Sequence, residues 1–487
     1  MHRRNVLNLL LGGSVLAAMP ACANAPERSM RPVVKPAAPV EGIVARAGLG
    51  GDLAFAVVDM RSGNLLEGQG GNTPLPPASV AKAVTALYAL DALGAGYQFR
   101  TRLVATGPVS DGVLRGDLIL AGGGDPTLET DHLATMAADL ARAGVRQVTG
   151  RFLVWGNALP FAAEIANDQS AQAGYNPSVS GLNLNFNRVH FEWRRAGPDY
   201  AVTMDARSNR HRPAVQMARM EVVNRSSPLY TYRRGAARDE WSVARGALGN
   251  SGSRWLPVRH PELYAGDVFR VLAQGQGVTL PAPELTRTTP AGRDLVTHRS
   301  RPLSDVLRDL LRFSTNISAE AVGMTASVAR GGGLASLPAS AAQMSDWARA
   351  RFGMSSARFV DHSGLGAASQ VSMVDLANMF RRAGEDGMLR AILREHPFRD
   401  ASNRIVAEPG LDVRAKTGTL YFVSALGGYL VAPGGREMAF AICSADLARR
   451  ARVAGGQIDR PEGTAAWARE ARMMQQNLLR RWAQAHS

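Results

Sequence analysis

Lysine is almost missing from this chain. Of 56 lysine and arginine residues, three are lysine: Lys35, Lys82 and Lys416. Surface charge is therefore supplied by arginine, and a lysine that persists is a candidate for work that arginine cannot do. Arginine stays protonated in proteins, whereas a buried lysine can shed its proton. Cysteine is equally sparse, with only Cys22 and Cys443. No pair is spaced for zinc, and a chain shortened behind Ala25 would hold one thiol and no internal disulfide. Aromatic residues make up 6% of the chain, and no basic tract interleaves with them, which argues against a nucleic-acid partner. The apolar stretch from Val6 to about Met19 is too short for a membrane span. Three chemistries lack their signatures. No Gly-x-Ser-x-Gly speaks for an α/β-hydrolase, and no His-Glu-x-x-His for a zinc peptidase. After Gly94-Ala95-Gly96, Phe99 stands where a dinucleotide loop needs its third glycine. No metal or cofactor is expected.

At 487 residues the chain is long enough for two to four domains. Residues 1–25 have the order of an export leader: Arg3-Arg4, an apolar core, then Ala23-Asn24-Ala25 as a small-x-small cleavage site. Arg3-Arg4-Asn5-Val6-Leu7 resembles the centre of a twin-arginine signal, so a periplasmic destination is expected. Met19-Pro20-Ala21-Cys22 is a poor lipoprotein site. Residues 26–44 read as a proline-rich linker. The net charge of +15 suits peripheral contact with an anionic wall or membrane.

Leu53–Met60 is strand-like, and Ser79 to about Leu93 favours helix, with Gly94 as its stop. Residues 101–289 change texture to short strand-like runs and turns, read as inserted β-rich material. Helices are predicted over Pro302–Phe313, from Ser318 to about Arg330 and from Thr464 to about Ala483. Strands are predicted around Val413–Gly418, Thr419–Ala432 and Arg436–Ser444.

Ser79 and Lys82 stand three apart at a helix start, so they share a face. A serine hydroxyl is a weak nucleophile until a base takes its proton, and a desolvated lysine can be that base. Ser314-Thr315-Asn316 lies at the break between two predicted helices. A hydroxyl there can relay a proton to a leaving amine, and an amide can orient the lysine and a substrate carbonyl. Lys416-Thr417-Gly418 lies on a strand-like run. Its ammonium and hydroxyl suit a carboxylate, and its glycine lets an extended substrate approach the strand edge. Each piece alone has a plain structural explanation: a chance tetrad, a helix cap, a strand end.

Together, in this order, they resemble the active-site signature of penicillin-binding proteins and serine β-lactamases. From Ser79 to Ser314 is 235 positions, and from Ser314 to Lys416 is 102. The first gap is too long for a simple β-lactamase. The chain resembles the penicillin-binding protein 4 type of D-alanyl-D-alanine carboxypeptidase/endopeptidase, which carries inserted material between the first two motifs. Pro77-Ala78-Ser79, Gly123-Gly124-Asp125-Pro126-Thr127-Leu128, Tyr175-Asn176-Pro177 and Asp361-His362-Ser363-Gly364-Leu365 agree with it.

The resemblance implies an α/β, transpeptidase-like domain with an antiparallel sheet and helices on both faces. That domain would comprise residues 45–100 and 290–487, with 101–289 inserted. It implies Ser79 as the acyl-forming nucleophile, Lys82 as its base, and Ser314 and Asn316 as proton-transfer and placement groups. Lys416 and Thr417 would hold a terminal carboxylate beside Gly418. The N–H groups of Ser79 and Thr419 would form the oxyanion hole, and Tyr175 would line the site from the inserted region. Peptidoglycan peptides and β-lactam inhibitors are the implied partners. The family's Ser-Arg after Gly-Leu is here Gly366-Ala367, which puts its stem-peptide preference in doubt. His362 in the same stretch reads as incidental. A β-lactamase and a non-catalytic peptidoglycan-binding protein remain as alternatives.

Overall fold

The computed structural model describes residues 37–331, 335–385, 387–400, 402–454, 456 and 461–487. The leader, Cys22 and Lys35 lie outside the described residues.

Both ends of the chain meet in one antiparallel sheet. Its strands lie in the order Asp412–Leu420, Val423–Val431, Glu437–Ala445, Asp52–Asp59 and Leu65–Gln69. The N-terminal strand pairs with the last one in a register that sets Ala54 against Cys443 and Val57 against Phe440. The central strands are apolar on both pleat faces, as a sheet covered on both sides requires. On one face, Ala54, Ala56 and Ala441 pack with residues of the Ala81–Leu93, Asn316–Ala329 and Met373–Gly384 helices. On the other, Phe55 and Phe440 flank Trp482 of the Thr464–Ala485 helix at 5.8 and 6.0 Å between ring centroids. Helices thus cover both faces, as the expected class requires.

Trp482 is fully buried, and its Nε1–H donates to Glu67 Oε2 at 3.1 Å. Trp482→Phe keeps a ring but leaves that carboxylate a donor short. We expect a loss of about 1–3 kcal/mol, measured as a lower urea midpoint with an unchanged slope.

The proline-rich linker expected to reach residue 44 ends sooner. Val40–Ala47 is a helix that buries Ile43 against the C-terminal helix and stops at Gly48, whose φ is 57°. Pro39 fixes the chain just before the first turn, and the apolar residues behind it have a groove to fill.

The middle of the chain forms a separate apolar core around Leu120, Phe152, Phe191 and Phe269. A mixed sheet runs in the order Pro283–Leu285, Phe152–Trp155, Leu118–Gly122, Arg100–Ala105 and Arg293–Arg299. Its edge strand Arg293–Arg299 pairs with Arg100–Ala105, and it ends ten residues past the boundary expected at 289. Three-stranded sheets accompany it, as the β-rich reading expects. Two helices it did not name are also there, Thr130–Arg142 and Pro261–Gln274. The first was visible in outline. Leu133, Met136, Ala137 and Leu140 recur at helical spacing and are buried. Among the described residues, no helix is long and apolar enough to cross a membrane.

Candidate active site

The stiff Pro74–Pro77 approach delivers Ser79 onto a single 3-10 turn, Ala78–Val80, which runs directly into the Ala81–Leu93 helix. Ala78 has φ 45°, which is uncommon for a residue with a side chain. Its surroundings enforce it. Gly364 and Gly418 lie so close that a Cβ on the first would stand 1.9 Å from the Ala78 carbonyl oxygen. One on the second would stand 2.8 Å from the Pro77 oxygen and 3.0 Å from the Ser79 nitrogen.

The helix that follows is apolar nearly all round, with Ala81, Ala83, Val84, Ala86, Tyr88 and Ala89 buried. Lys82 sits inside it at 0% exposure. Burial is the main reason its ammonium is disfavoured, and the acidity is moved to about 7 despite opposing attraction from Glu320 and Asp361. Lys82 Nζ lies 2.8 Å from Ser79 Oγ, 2.8 Å from Asn316 Oδ1 and 2.7 Å from the Ser363 carbonyl oxygen.

The helix Leu303–Phe313 ends because Ser314 turns left-handed at φ 59°, with its N–H donating to the Leu310 carbonyl. Thr315 is extended, and Asn316 opens the next helix. A hydroxyl or amide here often caps a helix, but these side chains do not. Ser314 Oγ accepts from Lys416 Nζ at 2.9 Å. Asn316 Oδ1 faces Lys82, and its Nδ2–H donates to the Tyr175 carbonyl at 2.9 Å.

Lys416 is 2% exposed on the Asp412–Leu420 strand. Its side chain turns inward, donating to Ser314 Oγ and, at 2.6 Å, to the Thr417 carbonyl. Burial first, then Lys82 and Arg394, push its pKa well below the usual lysine range. Ser314 and Thr419 line the cleft, and Lys416 Nζ stands behind Ser314. The same cleft, of about 440 Å³, is bounded by Ser79, Asn316 and Leu365.

Tyr175 reaches it from the middle segment, with 46% of its surface exposed and its hydroxyl donating to Gln169. Nearby, Arg450 binds Asp168 at 2.7 Å, so an ion pair ties the middle segment to the short Leu447–Val453 helix across the cleft. Nothing in the sequence marked that pair.

Beneath Lys82 lie two buried acids that the sequence reading also left without a role. Glu320 accepts from the N–H groups of His362 and Ser363 at 2.8 and 2.9 Å. Asp361 accepts from Gly364 and Gly366, each at 2.6 Å. Burial raises the proton affinity of both carboxyls. His362 is buried beside Ser340 at 2.7 Å, and desolvation moves it down to about 3, so it is neutral and takes a packing role. The signal for Glu320 was its spacing. It stands one helical turn beyond Asn316 and shares its face.

Comparison with known proteins gives concordant matches. A D-alanyl-D-alanine carboxypeptidase of Actinomadura sp. is 29% identical over 482 residues, spanning 89% of this chain and 84% of that protein. D-alanyl-D-alanine carboxypeptidase DacB of Haemophilus influenzae is 24% identical over 299 residues, spanning 56% of this chain and 58% of its own length. Among solved structures, penicillin binding protein 4 from Haemophilus influenzae superposes with a TM-score of 0.74. That pair is 20% identical, covering 91% of this chain and 99% of that one, so the likeness is one of fold. A second structure of the same protein, complexed with a β-lactam, gives 0.72 at the same identity and coverage. The profile of the D-Ala-D-Ala carboxypeptidase 3 (S13) family matches residues 37–460, nearly all that follows the leader-like segment, and the chain belongs to that family.

Proposed function

We propose that Ser79 is the acylated nucleophile of this serine-type D-Ala-D-Ala carboxypeptidase, that Lys82 is its base, and that the peptides of peptidoglycan are its substrates. One observation carries the reading: a desolvated amine stands 2.8 Å from the hydroxyl it would activate. In acylation Ser79 Oγ gives its proton to Lys82 Nζ and bonds to the carbonyl carbon of the penultimate D-alanine. The carbon–nitrogen bond then breaks. The proton held by Lys82 returns through Ser314 to the departing nitrogen, and water later hydrolyses the ester. The N–H groups of Ser79 and Thr419 take the oxyanion, a contribution typically worth about 3–4 kcal/mol per donor. The Thr417 and Thr419 hydroxyls seat the terminal carboxylate, whose negative charge favours a protonated Lys416 behind Ser314. β-Lactams enter by the same acylation; the Haemophilus influenzae protein has been solved complexed with a β-lactam.

Purified cross-linked muropeptides test this. Digestion is expected to release terminal D-alanine or to split cross-links, with products identified by mass. No change in either pool refutes the reading, and sustained turnover of a chromogenic cephalosporin assigns the site to a β-lactamase instead.

We also propose export to the periplasm, supported by the leader-like order of residues 1–25. The +15 charge supports contact with an anionic wall, so sacculus binding is expected to weaken as salt rises. The middle segment, about 100–299, is best treated as a module inserted into the catalytic domain.

A further inference from the structure

We propose that Glu320 is a positioning residue for acylation: by fixing the Ser363 carbonyl, it aims the free electron pair of Lys82 at the Ser79 hydroxyl. The inference rests on the reading of Lys82 as the base.

A neutral amine has two hydrogens and one electron pair. Lys82 Nζ has three neighbours at 2.7–2.8 Å. The Ser363 carbonyl can only accept. Asn316 Oδ1 can only accept as well, because its Nδ2–H is committed to the Tyr175 carbonyl. The two hydrogens therefore go to those oxygens, and the remaining tetrahedral direction, the electron pair, falls on Ser79 Oγ. Without either acceptor the amine could rotate and turn a hydrogen toward the nucleophile it should deprotonate.

Asn316 is held by its own helix. The Ser363 carbonyl belongs to a loop, and Glu320 ties that loop down. Its two carboxyl oxygens take the N–H groups of residues 362 and 363, the peptide units either side of the His362 Cα, so the chain is held immediately before the Ser363 Cα that carries the acceptor carbonyl. Thr85, one turn beyond Lys82, donates to the His362 carbonyl at 2.6 Å and holds the same loop from the other side. Glu320 stands four residues after Asn316 on the Asn316–Ala329 helix, so one rigid element sets both acceptors of the lysine. It is 0% exposed, out of reach of bulk water that could replace a lost bond.

The charges facing this group come from three other elements. Lys82 lies on the Ala81–Leu93 helix, Lys416 on the Asp412–Leu420 strand, and Asp361 and neutral His362 on the loop. Glu320 stabilises the Lys82 ammonium. Its own carboxyl is raised by burial to about 8, so it titrates over the same range as Lys82; with glutamine in its place Lys82 titrates alone, without that attraction, and the pH at which acylation sets in moves down. A residue that only supported packing would not move it.

The test is acylation by a fluorescent penicillin between pH 5 and 9, on the full chain, with melting temperatures measured alongside. Glu320→Gln cannot satisfy both N–H groups, since its NH₂ meets one of them. We expect a plateau rate lower by at least about tenfold from the misaligned base. We expect an acid limb shifted down by about half a pH unit or more. Thr85→Val, which removes no charge, is expected to slow acylation and leave the limb in place. A folded Glu320→Gln with the parent plateau overturns the proposal, and so does a slower one whose limb has not moved. Should Glu320→Gln fail to fold, Thr85→Val decides: slowed acylation supports the positioning, and the parent rate overturns it. Failure of the underlying reading looks different, because Ser79→Ala would then still take the label.

Discussion

Lys82→Arg is expected to keep the positive charge and lose acylation by roughly 10²–10⁴-fold, the usual worth of a positioned general base. The parent enzyme should acylate faster as pH rises through about 7 and level off above it, because the active form is the deprotonated amine and the acidity of Lys82 is moved to about 7. The sign follows from burial. The Ala81–Leu93 helix leaves Lys82 no exposed surface, which penalises the ammonium and frees the amine at neutral pH. A guanidinium does not escape that penalty by losing its proton, so at this position it offers hydrogens where an electron pair is needed. The larger head also overfills the site, at a cost of about 1–3 kcal/mol. Lys82→Met, of similar length and uncharged, controls for packing. It should be as inactive as the arginine variant and melt closer to the parent. Stopped-flow labelling with a fluorescent penicillin measures both, and an arginine variant that acylates at the parent rate above pH 7 would remove Lys82 from the chemistry.

Gly364→Ala is expected to lower acylation by roughly 10²-fold without touching a reacting atom, the effect of misplacing a catalytic group by about 1 Å. Gly364 has φ 72°, which a side chain resists at a cost of about 1–3 kcal/mol. Its Cβ would also fall 1.9 Å from the Ala78 carbonyl oxygen. That oxygen belongs to the residue before the nucleophile. The strain would be relieved by moving the Ala78–Val80 turn or the Asp361–Gly366 loop, and either shift pulls Ser79 away from Lys82. A folded variant with a lower melting temperature and slowed labelling is the expected result. Parent kinetics in a folded variant would show that the loop does not set the position of the turn.

The Ser79–Lys82 pair was legible because its spacing is local: three positions on a helix determine a shared face whatever the rest of the chain does. The meeting of Lys82 with Asn316 was carried only by the order of the motifs, since 234 positions separate them. Lys416 shows the limit of that reading. The strand and the residue types suggest an ammonium offered to a substrate, whereas packing turns it inward onto Ser314. Glu320 was hidden for a similar reason. An acid on a helix is usually a solvated residue, and the 361–366 loop that buries this one lies some forty positions away.

By itself the sequence determined the chemistry this protein can perform. The scarcity of lysine, the tetrad on a helix face and the two later motifs are properties of residue type and short spacing, which survive any packing that keeps the elements. Only the tertiary structure decided how that chemistry is tuned. Which lysine faces the nucleophile, which acid lies beneath it and how far each is removed from water depend on elements brought together from distant parts of the chain. Desolvation and alignment are properties of that assembly, and no single segment carries them.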